Sequence, residues 1–118
     1  METIAVVLSV GKDQVAAFEQ GFRDKELPIW HDFHGRGVML SASLSKLDIS
    51  SRSVNGATQY LIVVVFATGE GHHEHDDDPR FNAWNKQANA YQVGEPLAFG
   101  GETILRVGPP SLQTQSGA

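Results

Sequence analysis

Five histidines in a chain of 118 residues fall into two groups, and both lie where imidazole could do chemistry. His72, His73 and His75 belong to the stretch GEGHHEHDDDP, residues 69–79, and run straight into Asp76, Asp77 and Asp78. Imidazole ligates zinc, copper, nickel or iron, and a neighbouring carboxylate can join the ligands or orient a ring. His72, His73 and His75 are therefore a candidate divalent-metal site. The competing reading is a solvated acidic loop whose aspartates favour the start of the next helix. In extended backbone, His72 and His73 would point apart.

His31 and His34 form the second group, three residues apart beside Trp30. An imidazole of ordinary pKa, about 6.5, can take a proton from a phenolic or enolic group near neutrality. His34 and His73 are the candidate catalytic bases, His34 because it lies four residues from Trp30 and adjoins Gly35. A histidine near a helix C-terminus can equally be a surface residue favoured by the dipole. Trp30, His31, Phe81 and Trp84 are the candidate ligand-binding residues, although aromatics at helical spacing read first as core. Arg36, Arg80 and Arg106 could clamp an anion or pair with nearby acids. The chain carries no phosphate loop, dinucleotide fingerprint or hydrolase elbow.

These residues need elements to hold them. Residues 60–67, YLIVVVFA, are apolar at both parities, so that strand must be covered on both faces. Thr3 to Val10 reads as a first strand. Val15, Phe18, Phe22, Ile29 and Phe33 follow at spacings of three, four, seven and four, one stripe of a helix that Pro28 should kink or split. Val38 to Ser45 alternates, with Val38, Leu40, Ala42 and Leu44 on one side and Met39, Ser41, Ser43 and Ser45 on the other. Lys46 to Gln59, with Asn55-Gly56, is a loose hairpin connection. Asp78 and Pro79 suit the N-cap and first position of a second helix carrying Phe81, Trp84, Ala88 and Tyr91 and ending near Gly94. Thr103 to Val107 reads as the last strand, stopped by Pro109-Pro110. The order β-α-β-β-α-β is a ferredoxin-like α+β fold with a four-stranded antiparallel sheet. Residues 1–110 are expected to form one domain and 111–118 a flexible tail. Two helices cover one sheet face only, and a second copy of the same sheet would cover the other.

Composition narrows the function. Nine basic against fourteen acidic side chains give a net charge of −5, the wrong sign for nucleic acid. The N-terminal apolar stretch is far shorter than the roughly 20 residues that span a bilayer. Without cysteine there is no disulfide or thiolate chemistry, in keeping with a cytoplasmic protein.

Glu26-Leu27-Pro28 late in the first helix, Phe33-His34-Gly35 before the second strand, and Asp78-Pro79-Arg80-Phe81-Asn82-Ala83-Trp84 opening the last helix carry a resemblance. Across residues 3–108 the chain resembles the dimeric α+β barrel superfamily, closest to its antibiotic-biosynthesis-monooxygenase-like and stress-responsive members. The resemblance implies a homodimer packed sheet to sheet, with a cavity between sheet and helices in each subunit. It implies a small-molecule ligand and an enzyme that is monooxygenase-like or proton-transferring on aromatic, polyketide-like substrates without an organic cofactor. The alternative is a non-catalytic, ligand-binding or stress-related homodimer, with metal on the His72–His75 segment. Haem-cleaving members pair a strand asparagine with a helical histidine; Thr3 to Val10 has no asparagine and Pro79 to Tyr91 no histidine, which argues against that chemistry.

Overall fold

The computed structural model describes residues 1–108. Strands β1 (Glu2–Gly11), β2 (Met39–Lys46), β3 (Ala57–Phe66) and β4 (Leu97–Glu102) form one antiparallel sheet in the order β2-β3-β1-β4. Between them run α1 (Val15–Gly21), α2 (Leu27–Gly35), α3 (Gly69–Asp76) and α4 (Pro79–Asn89). This is the ferredoxin-like α+β arrangement the sequence implies, with α3 added. The stretch expected to be a tail, from Ser111, lies outside the described residues.

The first helical segment does not split at Pro28. Its backbone stays helical from Val15 to Gly35, and α1 passes into α2 through a π-helical turn, Phe22–Glu26. Proline lacks an N–H and crowds the preceding turn, so a wider turn just before it absorbs the conflict without breaking the helix. Gly21 lets α4 approach closely, because a Cβ there would lie 2.6 Å from the Trp84 ring.

Two strands differ from the sequence expectation. The last strand is Leu97–Glu102, not Thr103 to Val107: β4 pairs with β1 from Val7↔Leu97 to Glu2↔Glu102, where the ladder ends. Ile104, Leu105 and Val107 are thus left exposed despite their β-forming side chains. In β2 a register shift between Met39 and Ser41 sets Met39 opposite Phe66 and Ala42 opposite Val64. The extra residue of this bulge turns Met39 fully inward, against the strict alternation expected.

The helices cover one sheet face. Ile4, Val6, Leu8, Ile62, Val64 and Phe66 point beneath them and belong to the core with Phe18, Phe22, Trp30 and Trp84. On the outer face, Val7 opposes Leu61 and Leu97, and Ala5 opposes Val63 and Phe99. Phe99 is 64% exposed there.

Candidate functional site

The sheet and helices do not close completely. A cavity of about 630 Å³ lies between them, floored by Ile4, Val6, Leu8, Ile62 and Val64 and walled by Phe18, Phe22, Trp30, Phe81 and Trp84. Along β1 its lining runs from Glu2 to Leu8, about 20 Å at the rise of a strand. The Glu2 end is polar, lined also by Glu26, His72, His75 and Asp76, while Asn85, Asn89 and Gln92 line the cavity from α4 and the residues after it.

The polar end depends on α3, which sequence reading leaves as a loop. Thr68 caps this helix, its side chain accepting from the Gly71 N–H, and Gly71 brings it onto Val38 and Phe66. A Cβ at Gly71 would stand 2.7 Å from Val38 Cγ1. Helical geometry puts His72, His75 and Asp76, at spacings of three and four, on one flank.

That flank joins a chain of charged groups. Glu26 Oε1 lies 2.9 Å from His75 Nε2, and His75 Nδ1 lies 3.2 Å from Asp76 Oδ1. Asp76 Oδ2 is 2.9 Å from His72 Nε2, and His72 Nδ1 is 2.9 Å from Glu2 Oε1. Burial grades along it, from Glu26 and His75 inside to Asp76, half exposed. Burial is the largest influence on His75 and pulls its pKa down, yet Glu26 and Asp76 together outweigh it, and the net shift is upward. With both ring nitrogens facing carboxylates, His75 is set up to be an imidazolium that donates in both directions. Phe81, Phe33 and Phe66 surround the ring, Phe81 at 4.3 Å between centroids.

The Asp78 N-cap is formed as expected, accepting from the Arg80 N–H at 2.8 Å, and the Arg80 guanidinium holds the Asp78 carboxyl down at about 2. Asp32 ties Arg36 on its own helix to Arg80 on α4, and Arg36 also reaches Glu74 on α3. These arginines clamp helices together on the outside of the helical layer.

No family model matches the chain, and no curated protein matches it. Solved structures do. A protein of Nitrosomonas europaea assigned as an antibiotic biosynthesis monooxygenase superposes with a TM-score of 0.71 at 11% identity, over 89% of this chain and 100% of that one. A Deinococcus radiodurans protein with the same assignment gives 0.69 at 14%, over 93% and 99%. SnoaB, a cofactor-independent oxygenase from Streptomyces nogalater, gives 0.58 at 17%, over 88% and 96%. The chain shares the ferredoxin-like α+β fold of these structures.

Within that fold the residues singled out by sequence separate sharply. Trp30, Phe81, Trp84, His72 and His75 line the cavity. His31, His34 and His73 do not line it; all three are exposed on the outer sides of α2 and α3. Among the described residues, no group of three or more His, Cys, Asp or Glu side chains is arranged to hold a metal ion. The nitrogens of His72 and His75 already face Glu2, Asp76 and Glu26, and His73 is turned outward, so the three imidazoles do not converge as ligands.

Glu26 is not among the site candidates that the sequence suggests. It fills the seven-residue gap in the first helix's apolar stripe, four after Phe22 and three before Ile29. An acid on a core-facing stripe is the signal, because a carboxylate is almost never fully buried unless paired.

Proposed function

We propose that this protein is a cofactor-independent, monooxygenase-like or proton-transfer enzyme acting on a small aromatic molecule held in the cavity. The observation that carries the reading is a buried Glu26–His75 pair at the polar end of an otherwise aromatic and aliphatic chamber. One oxygen of Glu26 is engaged by His75; the other is free to take a proton from a phenolic or enolic group. The His75 imidazolium fixes the carboxylate and offsets the negative charge that the substrate acquires. Asp76 and His72 connect the pair towards the surface, where the proton can leave. An electron-rich hydroxyanthrone anion reacts with dioxygen itself, so that CH2 plus O2 gives C=O plus H2O. The protein's part is to remove the proton and exclude bulk water.

The working unit in this proposal is a homodimer. The outer sheet face carries Val7, Leu61, Val63 and Phe99, and beyond β4 stand Ile104, Leu105 and Val107. A second copy offers a sheet of matching length and the same apolar chemistry.

The test of the activity is a panel of hydroxylated anthrones and quinols incubated with the protein under oxygen, with oxygen uptake and product followed together. Enzyme-dependent turnover is the expected result. Saturable binding with unchanged ligand would instead support the non-catalytic, ligand-binding homodimer.

A further inference from the structure

We propose that Glu26 and Trp30 form a two-pronged grip for one edge of a flat, neutral ligand. A ligand N–H or O–H donates to Glu26 Oε2, and an adjacent C=O accepts from the Trp30 indole N–H. This rests on the cavity being a ligand site and narrows the class of molecule it takes.

Glu26 and Trp30 both line the cavity, and Glu26 Oε2 and Trp30 Nε1 are buried with no hydrogen-bond partner among the described residues. Their residues are only 4% and 7% exposed. Leaving a buried polar atom unpaired costs about 1–3 kcal/mol, and more when the group is charged. Two such atoms of opposite sense on one wall are a poor solution for packing alone, since an apolar residue at position 26 would complete the stripe.

Neither group is placed to relieve itself. Glu26 Oε1 is held by His75, so turning the carboxylate to satisfy Oε2 elsewhere gives up that contact. The Trp30 ring is set edge-on against Phe22, 5.1 Å between centroids. The two residues are four apart on a continuous helical path, which brings their Cβ atoms to within about 6 Å.

Charge selects further. Glu2, Glu26 and Asp76 set three carboxylates against the two imidazoles of His72 and His75, so the polar end keeps a negative excess even with both rings protonated. An anionic head group is repelled. The aromatic wall of Phe22, Phe81 and Trp84 takes the flat body. The ligand class is therefore a neutral aromatic with a lactam-like donor and acceptor on one edge.

Calorimetric titration of the intact protein with four probes tests this: 2-quinolone, which has both groups; N-methyl-2-quinolone, which lacks the donor; naphthalene, which lacks both; and 2-naphthoate, which is anionic. 2-Quinolone should bind about tenfold or more tighter than the N-methyl compound, as a hydrogen bond to a charged group warrants, and 2-naphthoate should bind weakest. Trp30→Phe should weaken both quinolones several-fold more than it weakens naphthalene. Equal affinity for the three neutral probes, or tightest binding by 2-naphthoate, would overturn the grip and leave the cavity as a ligand site. No binding by any probe, naphthalene included, would remove the site and the grip together. If Trp30→Phe fails to fold, the order of the four probes on the unaltered protein decides.

Discussion

His75 and Glu26 meet at 2.9 Å across the space between α3 and the π-helical turn, and both are buried. The contact ties the π-helical turn directly to α3, and it places a charge pair beside an apolar chamber.

His75 should titrate above 6.5. Glu26 and Asp76 face it, outweighing the burial that opposes the charge. A folded pKa above the unfolded value of about 6.5 means that this stabilisation is complete below that pH and is lost as pH rises through the folded pKa. Imidazole NMR shifts recorded against pH should show the His75 midpoint above 6.5. A midpoint at or below 6.5 would contradict the ion pair.

Breaking the pair should cost far more than replacing it. His75→Ala leaves Glu26 buried without its partner and should destabilise the fold by about 3–5 kcal/mol in urea unfolding. Glu26→Leu combined with His75→Leu removes both charges and should recover much of the loss. A double variant no more stable than His75→Ala would show that the carboxylate is not the source of the cost.

Gly71→Ala should destabilise despite alanine's better helix propensity, which is worth about 1 kcal/mol. The added Cβ meets Val38 Cγ1 at 2.7 Å and the Val38 carbonyl at 3.3 Å, and overpacking of this kind costs about 1–3 kcal/mol. Weaker binding of cavity ligands should accompany the lower urea midpoint, because α3 carries His72 and His75.

Val63 and Val64 separate assembly from folding. Val63 lies on the outer face opposite Ala5, whereas Val64 lines the cavity. Val63→Asp should convert a dimer into monomer by sedimentation at micromolar concentration, while Val64→Asp should fail to fold. Sedimentation of the unaltered chain as a monomer would remove the dimer proposal.

The first three strands and the amphipathic helices were legible because their signals are local. Tyr60 to Ala67 shows two apolar parities, and Asp78-Pro79 marks a helix start that the structure forms. The bulge at Met39 and the displaced last strand were not legible, because each follows from pairing: Glu2 to Val7 of β1 lie opposite Leu97 to Glu102, a register that no pattern within Thr103 to Val107 records. At the site, aromatic spacing identifies Trp30, Phe81 and Trp84, but the sequence assigns the catalytic role to His34 and His73 and reads His75 only as a metal ligand. Which histidine turns inward depends on Thr68 capping α3 and on Gly71 seating it, and the Glu26 partner lies 49 residues away.

The most direct test of the central claim is the rate at which a hydroxyanthrone is oxidised in single turnover under oxygen by three variants beside the unaltered protein. Glu26→Gln and His75→Gln should each slow the reaction by about a hundredfold or more, the scale of a lost proton-transfer group. His34→Ala, altered outside the cavity, should keep the original rate. Full activity in Glu26→Gln with loss in His34→Ala would contradict the account.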